Sequence, residues 1–398
     1  MPHIIYFFVS LWCTVIAKEL ILKSAMIEPY GNGSEYPPFK GCRKRTHVPE
    51  TSPLPEYKVD LMKDPMHRWD EVIKDKKFAM LQLLQGIRNN TDQLFGTSVF
   101  HLVDQYLPLL TDTLPEPYKQ ELQGVSHSAN MSLGDITLFN VFYEFFSLCT
   151  SILAQDENRN IHHARNLDFG LFLGWDPATK NWLTTEHLKP LVIKVVFVKG
   201  KTKIFEAINF AGYIGILTGV KKGAFSLSVD ERFRLNGGYI GLAEWILGHH
   251  SQQWMGLLTR QVMEQADSYL QAQKMLAKPP LVAPVYFILG SSQPGEGCII
   301  TRDRNKFDIL TLSQTGSWFL VQTNYDHWEQ PPFYDNRRMP AQTCLKYYGQ
   351  KQLVSGLYNV LSTRPVLNKL TIYTALLDIK TGSIKSWLRF CNNPCWPW

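Results

Sequence analysis

The chain has 398 residues, of which 45% are hydrophobic and 19% charged, and its formal net charge at neutral pH is +6. This length supplies core material for one large domain or two ordinary ones, so the composition is that of a folded protein. The basic excess is mild and includes no dense Lys/Arg cluster, which argues against nucleic-acid binding while favouring contact with anionic surfaces.

The first 17 residues predict a secretory signal peptide. The apolar stretch from Ile4 to Ala17 is too short to span a bilayer, and the small Ala17 precedes charged residues at a plausible cleavage point. A buried N-terminal strand or helix is the alternative for this stretch. Three N-glycosylation sequons agree with export and begin at Asn32, Asn89 and Asn130.

The chain contains seven cysteines. If Cys13 leaves with the signal peptide, six remain, and in an oxidising compartment some of them should pair. Composition does not say which. The remaining cysteines are Cys42, Cys149, Cys298, Cys344, Cys391 and Cys395.

Before Cys149 the chain is predicted to be mainly helical. An extended arm rich in Pro, Gly and Ser covers Lys18 to Pro55 and leads into a short strand at Tyr57–Leu61. Apolar residues then recur at helical spacing, and a start signal at Ser132 precedes the last of the helices. The predicted helices are His67–Ile87, Val99–Leu110, Pro117–Leu122 and Ile136–Phe146.

After Cys149 the pattern becomes strand-rich, with a helical interlude at Leu242–Leu247 and Met255–Leu276. Strands followed by helices and then by strands again predict sheets whose outer faces are covered by helices. The predicted strands are Thr150–Ala154, Ile161–Asn166, Leu191–Val198, Thr202–Phe210, Tyr213–Leu217, Phe225–Val229, Val285–Leu289, Gly297–Thr301, Phe307–Thr311, Trp318–Gln322, Leu370–Asp378 and Ser383–Leu388.

Cys149 stands at this change of pattern. By residue type, a buried apolar cysteine or a disulfide partner is the more common case. Three local features favour a nucleophile instead: the break itself, the small Thr-Ser pair that follows, and a hairpin that would return Arg165 and Asp168 to its side. His162 and His163 are read as non-catalytic, because neighbouring residues on a strand face opposite ways.

Cleavage of the Leu148–Cys149 peptide would make Cys149 an N-terminal residue. Its α-amine, with a reference pKa of about 7.7–8.0, could then act as the base for its own thiol. A nearby aspartate would hold the ammonium form and an arginine would favour the thiolate. Such a site needs no metal and no cofactor, and the thiol can attack the preceding carbonyl itself.

Four separate blocks stand out along the chain: Cys149-Thr-Ser-Ile-Leu-Ala, His163-Ala-Arg-Asn-Leu-Asp-Phe, Gln322-Thr-Asn-Tyr-Asp-His-Trp and Asp335-Asn-Arg-Arg-Met-Pro. In isolation, Asn324 would be read as a turn residue and Arg337 as a surface or ion-pair residue. Together and in this order, the blocks resemble the acid ceramidase family, which also includes the acid amidase that hydrolyses N-acylethanolamines. The resemblance runs from the region of Cys42 to Trp398.

The resemblance implies an α+β fold, a four-layer αββα sandwich of the N-terminal-nucleophile hydrolase class. It implies self-cleavage into an α chain of residues 18–148 and a β chain of residues 149–398. Cys149 would be the nucleophile, and Arg165 and Asp168 would orient and activate it. Asn324 would stabilise the oxyanion, and Arg337 would be a further active-site arginine.

The resemblance also implies two disulfides, Cys42–Cys344 between the α and β chains and Cys391–Cys395 in a small C-terminal loop. Cys298 would then be unpaired and buried. Because the amidase relative is not expected to carry these pairs, they favour a ceramidase. Two departures from the family pattern, Ala164 for glycine and Asn336 for aspartate, remove no reacting group.

The expected activity is lysosomal hydrolysis of ceramide to sphingosine and a fatty acid, with some enzyme secreted. The expected partners are ceramide and related N-acyl lipids, a saposin-type lipid activator and an anionic membrane surface, without nucleic acid. Two alternatives stay open. One is an N-acylethanolamine acid amidase, and the other is a non-catalytic secreted glycoprotein that binds lipids.

Overall fold

The structure is a computed structural model that describes residues 39–44, 46–95, 107–142, 147–169, 174–232, 240–241, 244–245, 248–331 and 335–396. The predicted signal peptide 1–17, the sequon at Asn32, and parts of the predicted helices Val99–Leu110, Ile136–Phe146 and Leu242–Leu247 lie outside these ranges. Among the described helices, none combines the length and the apolar composition needed to cross a membrane.

The larger sheet has eight strands in the order β1-β6-β7-β8-β9-β10-β11-β12. Its neighbours are antiparallel except for β1, which runs parallel to β6 and so joins the N-terminal segment to the rest of the chain. The strands are β1 (Glu56–Asp60), β6 (Val192–Lys199), β7 (Thr202–Phe210), β8 (Thr218–Lys221), β9 (Phe225–Glu231), β10 (Val285–Ser291), β11 (Gly297–Arg302) and β12 (Phe307–Thr311).

The smaller sheet has five antiparallel strands in the order β13-β2-β3-β14-β15. A separate two-stranded hairpin, β4 (Trp175–Asp176) with β5 (Asn181–Trp182), follows β3. The strands of the smaller sheet are β2 (Ser147–Gln155), β3 (Ile161–Phe169), β13 (Phe319–Gln322), β14 (Thr371–Asp378) and β15 (Ser383–Leu388).

The two sheets face each other, and helices cover their outer faces. Ser151 on β2 contacts Ser228 on β9, which places these two strands against each other at the interface between the sheets. Cys344 and Leu357 from two helices pack with Ile152 on the outer face of the smaller sheet. This order of helix, sheet, sheet and helix confirms the predicted four-layer αββα sandwich. The helices are α1 (Asp70–Phe95), α2 (Tyr118–Ala129), α3 (Leu133–Phe142), α4 (Leu183–Leu188), α5 (Met255–Gln265), α6 (Tyr269–Ala277), α7 (Leu312–Thr315), α8 (Arg338–Tyr348) and α9 (Leu353–Leu361); residues 107–112 are also helical and two 3-10 turns span Pro65–His67 and Lys189–Leu191.

A buried ionic cluster joins the N-terminal helices to the rest of the molecule. The carboxylate of Glu121 on α2 accepts hydrogen bonds from Arg68 at 2.7 Å, from the indole of Trp69 at 2.6 Å and from Arg260 on α5 at 3.2 Å. Glu121 and Arg260 are fully buried. The N-terminal segment is therefore held to the rest of the molecule by charge as well as by apolar packing.

Both disulfides implied by the resemblance are present. Cys42 in the N-terminal arm pairs with Cys344 on α8, a separation of 302 residues, and Cys391 pairs with Cys395. Cys298 is a free and buried thiol, as expected. The arm thus has a covalent link to the helix that covers the smaller sheet.

Two predicted elements are wrong. Residues Tyr213–Leu217 form a turn instead of a strand, because the side chain of Asn209 donates to the carbonyls of Tyr213 and Gly215 at 3.0 Å each. The single helix predicted from Met255 to Leu276 is divided into α5 and α6. The break falls at Ser268, whose hydroxyl caps the second helix by accepting from the Gln271 amide.

Helices α8 and α9 were not predicted. The start of α8 is charged and has Pro340 in its first turn, where proline is tolerated although it weakens the helical pattern of the sequence. On α1, Phe78 and Leu81 share the helical spacing of the apolar residues but are 69% and 38% exposed. The apolar stripe of α1 is therefore narrower than its sequence suggests.

Candidate active site

The peptide bond that is predicted to be cleaved lies inside strand β2. This strand begins at Ser147, so Cys149 is its third residue and does not stand at the helix-to-strand junction, as the sequence suggested. Antiparallel pairing sets Leu148 opposite Asp168 and Cys149 opposite Leu167 on β3. The predicted hairpin is thus confirmed, with a longer first strand that holds both sides of the Leu148–Cys149 peptide in a ladder.

The alternation of side chains divides the hairpin into two chemical faces. Arg165 lies on the face toward the larger sheet and donates to the carbonyl of Leu217 at 2.8 Å and to the Thr218 hydroxyl at 3.1 Å. Asp168 is three residues further along the strand, so its side chain points to the opposite face, where it contacts Asn368 and Arg337. The two residues that the sequence placed together therefore approach Cys149 from different sides.

The Cys149 thiol is fully buried and accepts a hydrogen bond from Nη2 of Arg165. Burial raises the pKa of this thiol, and the guanidinium of Arg165 opposes the rise by favouring the thiolate. Arg165 is itself buried without exposure to solvent. A reactive thiolate at this position depends on the arginine, because the thiol is buried away from the bulk solvent that would otherwise stabilise the charge.

The main chain of Cys149 is held at both ends. Its amide nitrogen donates to Oδ1 of Asn324 at 2.8 Å, and its carbonyl oxygen accepts from Nη1 of Arg337 at 2.9 Å. These contacts come from the segments after β13 and before α8, far away in sequence. The structure therefore brings all five predicted catalytic residues around one peptide.

Arg337 connects these residues to each other. It donates to Asp168 at 2.9 Å, to Oδ1 of Asn324 at 2.7 Å, and to both carboxylate oxygens of Asp335. Burial lowers the pKa of Arg337, but Asp335 and Asp168 raise it by a greater amount, so this guanidinium stays charged. Burial raises the pKa of the Asp168 carboxyl, and Arg337 counteracts that rise.

An oxyanion donor would turn its amide nitrogen toward Cys149, but the side chain of Asn324 turns its oxygen toward Cys149. Its oxygen accepts from Cys149 and Arg337, and its amide nitrogen donates to the carbonyl of Glu231 at 2.8 Å. In the continuous chain, Asn324 thus orients the nitrogen that cleavage would convert to an amine. Its role as an oxyanion donor stays a prediction.

Sequence analysis missed Asp230 on β9. This carboxylate is fully buried, accepts from the Ser151 hydroxyl at 2.8 Å, and lies 3.5 Å from Nη2 of Arg165. Burial raises its pKa to about 7. A signal was present in the sequence: Ser226, Ser228 and Asp230 alternate with apolar residues along β9, which is typical of a polar row facing a partner.

The two adjacent histidines have separate partners. His163 is buried between the hydroxyls of Ser226 and Ser228, each 2.8 Å from one ring nitrogen, and burial lowers its pKa to about 3. His162 contacts Asp156 at 3.2 Å. Neither contacts Cys149, and their exclusion from the chemistry stays a prediction.

The remaining predicted positions are placed as follows. Leu148 packs against an aromatic cluster that includes Trp182 and Trp396. Asn89 on α1 and Asn130 at the end of α2 are both exposed. Of the two departures from the family pattern, Ala164 lies in the apolar cluster beneath α8 and α9, and Asn336 accepts from the Met339 amide in the first turn of α8.

Comparison with known proteins agrees with this geometry. A family model described as linear amide C–N hydrolases of the choloylglycine hydrolase family matches residues 149–351, beginning at Cys149. A second model, described as the beta subunit of N-acylethanolamine-hydrolyzing acid amidase, matches residues 52–114.

Full-length relatives are also similar. The acid ceramidase of Heterocephalus glaber is 46% identical over 372 residues, covering 91% of this chain and 94% of the relative. The acid ceramidase of Homo sapiens is 43% identical over 371 residues, with the same coverage of 91% and 94%. Among solved structures, the Caenorhabditis elegans N-acylethanolamine-hydrolyzing acid amidase ortholog is 29% identical, with a TM-score of 0.51, covering 61% of this chain and 100% of that chain. The chain therefore belongs to the acid ceramidase family and is an amidohydrolase of the linear amide C–N hydrolase type.

Proposed function

We propose that this protein is the precursor of a lysosomal ceramidase, which cuts itself between Leu148 and Cys149 and then hydrolyses the amide bond of N-acylsphingosine. The observation that carries the proposal is the environment of Cys149. Its thiol contacts Arg165, while Asn324 and Arg337 hold its amide nitrogen and carbonyl. A structural cysteine needs none of these contacts.

Self-cleavage follows from the same contacts. The thiolate, stabilised by Arg165, attacks the Leu148 carbonyl carbon, the carbon–nitrogen bond breaks, and the Cys149 nitrogen takes up the proton that the thiol has lost. Water then hydrolyses the thioester, which releases the Leu148 carboxylate and regenerates the thiol. The products are an α chain ending at Leu148 and a β chain beginning with a free amine at Cys149.

Ceramide hydrolysis repeats this acyl transfer on an external amide. The Cys149 thiolate attacks the amide carbonyl, and the α-amine passes the proton of the thiol to the leaving sphingosine amine. Asn324 stabilises the oxyanion, a contribution of roughly 3–4 kcal/mol to lowering the barrier. Water hydrolyses the thioester and releases the fatty acid.

The substrate assignment follows the relatives named acid ceramidase. The formal net charge of +6 supports the proposal that the enzyme acts at an anionic membrane surface. Each basic residue near such a membrane adds about 1 kcal/mol of attraction. We propose in addition that a saposin-type protein presents the lipid, and that export begins with the signal peptide, with some enzyme secreted.

N-terminal sequencing after acid incubation tests the self-cleavage. We expect the larger fragment to begin at Cys149, and the two fragments to separate on a gel only after reduction, because Cys42 and Cys344 join them. Cys149→Ala should stay whole, and the Cys42–Cys344 link gives the matched control, since a Cys42→Ser/Cys344→Ser variant should be cut but separate without reductant. A different N-terminus, or cleavage of Cys149→Ala, would refute the mechanism.

An N-acylethanolamine amidase is the second candidate. The match of residues 52–114 and the similar nematode structure favour it, since both are described as N-acylethanolamine-hydrolyzing acid amidases. Parallel assays on ceramide and N-palmitoylethanolamine decide between the two. We expect faster hydrolysis of ceramide, and a strong preference for the ethanolamide would overturn the substrate assignment.

A further inference from the structure

Arg165 is shared between two acidic groups. Its Nη2 atom contacts the Cys149 thiol and also lies 3.5 Å from Oδ1 of Asp230. Within the described residues, Oδ2 of Asp230 and Nε of Arg165 have no hydrogen-bond partner. A fully buried carboxylate oxygen without a donor is costly when charged, so this position is built for a carboxyl that is neutral part of the time.

We infer that Asp230 is a positioning residue whose protonation controls the reactivity of Cys149, making the thiol more nucleophilic in acid by leaving Arg165 free to stabilise the thiolate. The inference rests on the proposed function for its biological meaning. Its physical content concerns only the charge balance of Arg165, Cys149 and Asp230.

The sign of the effect follows from the pairing. When Asp230 is protonated, the positive charge of Arg165 acts on the thiol and lowers its pKa. When Asp230 ionises, its negative charge neutralises Arg165 and repels the thiolate, so the pKa of the Cys149 thiol rises. Burial raises the pKa of Asp230 to about 7, so the change occurs between the acidic and neutral ranges.

The surroundings of Asp230 support one dominant partner. The polar contact is the Ser151 hydroxyl at 2.8 Å, and Tyr286 lies opposite on β10 with its own hydroxyl on Asp326. The charged and titratable groups around Asp230 are Arg165 and Asp168 on β3, Cys149 on β2, Arg337 before α8 and Tyr373 on β14. Arg337 is already engaged by two carboxylates, which leaves Arg165 as the cation that Asp230 and the thiol share.

The isosteric Asp230→Asn variant tests the inference, because it keeps the shape and cannot ionise. Two rates are measured between pH 4.5 and 8.5, self-cleavage on a gel and alkylation of Cys149 by iodoacetamide in the processed protein, followed by peptide mass. We expect the ratio of each rate at pH 8 to that at pH 5 to be at least about tenfold higher in Asp230→Asn than in the wild type. Equal ratios would overturn the inference.

Ser151→Ala provides a second variant if Asp230→Asn folds poorly. The Ser151 hydrogen bond lowers the pKa of Asp230, so the variant should raise that pKa. The pH at which Cys149 loses reactivity should then be higher, and the reactivity in acid should remain. An unchanged midpoint in Ser151→Ala would count against the inference.

Neither rate uses a lipid substrate, so failure to hydrolyse ceramide would refute the proposed substrate and leave this test valid. Glu121→Gln, a buried carboxylate paired with other arginines, should keep the wild-type profile.

Discussion

Two buried arginine–carboxylate clusters in this molecule are built differently. In the cluster of Glu121, both carboxylate oxygens accept hydrogen bonds, from Arg68, Trp69 and Arg260. In the cluster beside Cys149, the Asp230 carboxylate and the Arg165 guanidinium each keep an atom without a partner in the described part of the chain.

The contrast separates a structural role from a chemical one. Buried ion pairs stabilise a fold when every donor and acceptor has a hydrogen-bond partner. A buried polar atom without a partner lowers the free energy of unfolding. Such atoms persist at sites where charge must move or change. The cluster of Glu121 therefore joins two segments, whereas we propose that the cluster of Arg165 and Asp230 serves the reactivity of the Cys149 thiol.

Removing Arg337 should produce the largest effect. Arg337→Gln loses the guanidinium that contacts Cys149, Asn324 and Asp168, so we expect self-cleavage to slow by at least about a thousandfold. The fraction cut is measured on a reducing gel against time. Arg338→Gln, which changes the neighbouring arginine that binds main-chain carbonyls, is the control. A similar loss in both variants would assign the effect to folding.

Asn324→Ala tests the asparagine that orients the Cys149 nitrogen. We expect the rate of hydrolysis to fall by about 10²–10³, because a donor to the oxyanion is lost together with the contact to the future amine. The test is the kcat of processed enzyme on a soluble amide, compared with its KM. A rise in KM with unchanged kcat would show that Asn324 only binds substrate.

Glu121→Gln should affect stability instead of chemistry. The variant removes the fully buried carboxylate that Arg68 and Arg260 share and leaves Glu264 as the remaining partner of Arg260, for which we expect a loss of about 3 kcal/mol in the free energy of unfolding. Denaturant unfolding measures this loss. Cleavage per folded molecule should stay at the wild-type rate, and a slower rate at full folding would contradict the division between the two clusters.

The smallest expected effect is that of the C-terminal disulfide. Cys391 and Cys395 are separated by 4 residues, so opening this loop with Cys391→Ser/Cys395→Ser should cost at most about 2 kcal/mol. Thermal unfolding of the variant and of Cys42→Ser/Cys344→Ser compares the two bridges. In the uncut precursor the second variant should lose more, because its bridge closes a far longer loop, and the reverse order would contradict this account.

Much of the fold was predictable because its signals are local. The strand pair at residues 192–199 and 202–210 was predicted within one residue, since two apolar runs rich in β-branched and aromatic residues surround a Gly-containing turn. Elements whose signal is mixed were less predictable. Arg337, the residue before α8, contacts Cys149, Asp168 and Asn324, and Pro340 follows in the first turn, so the start of this helix has little of the apolar pattern that predicts one.

The sequence determined that Cys149 and Arg165 would meet, because the polar turn between β2 and β3 makes a hairpin whose register follows from its length. A family resemblance supplied Asn324 and Arg337, which no local pattern distinguishes from a turn residue and a surface arginine. The tertiary structure decided that Arg165 and Asp168 lie on opposite faces of the hairpin, and that Asp230 lies beside Arg165. The reason is physical: Asp230 reaches Arg165 only through the packing of two sheets, and such contacts between distant strands leave no spacing in the chain.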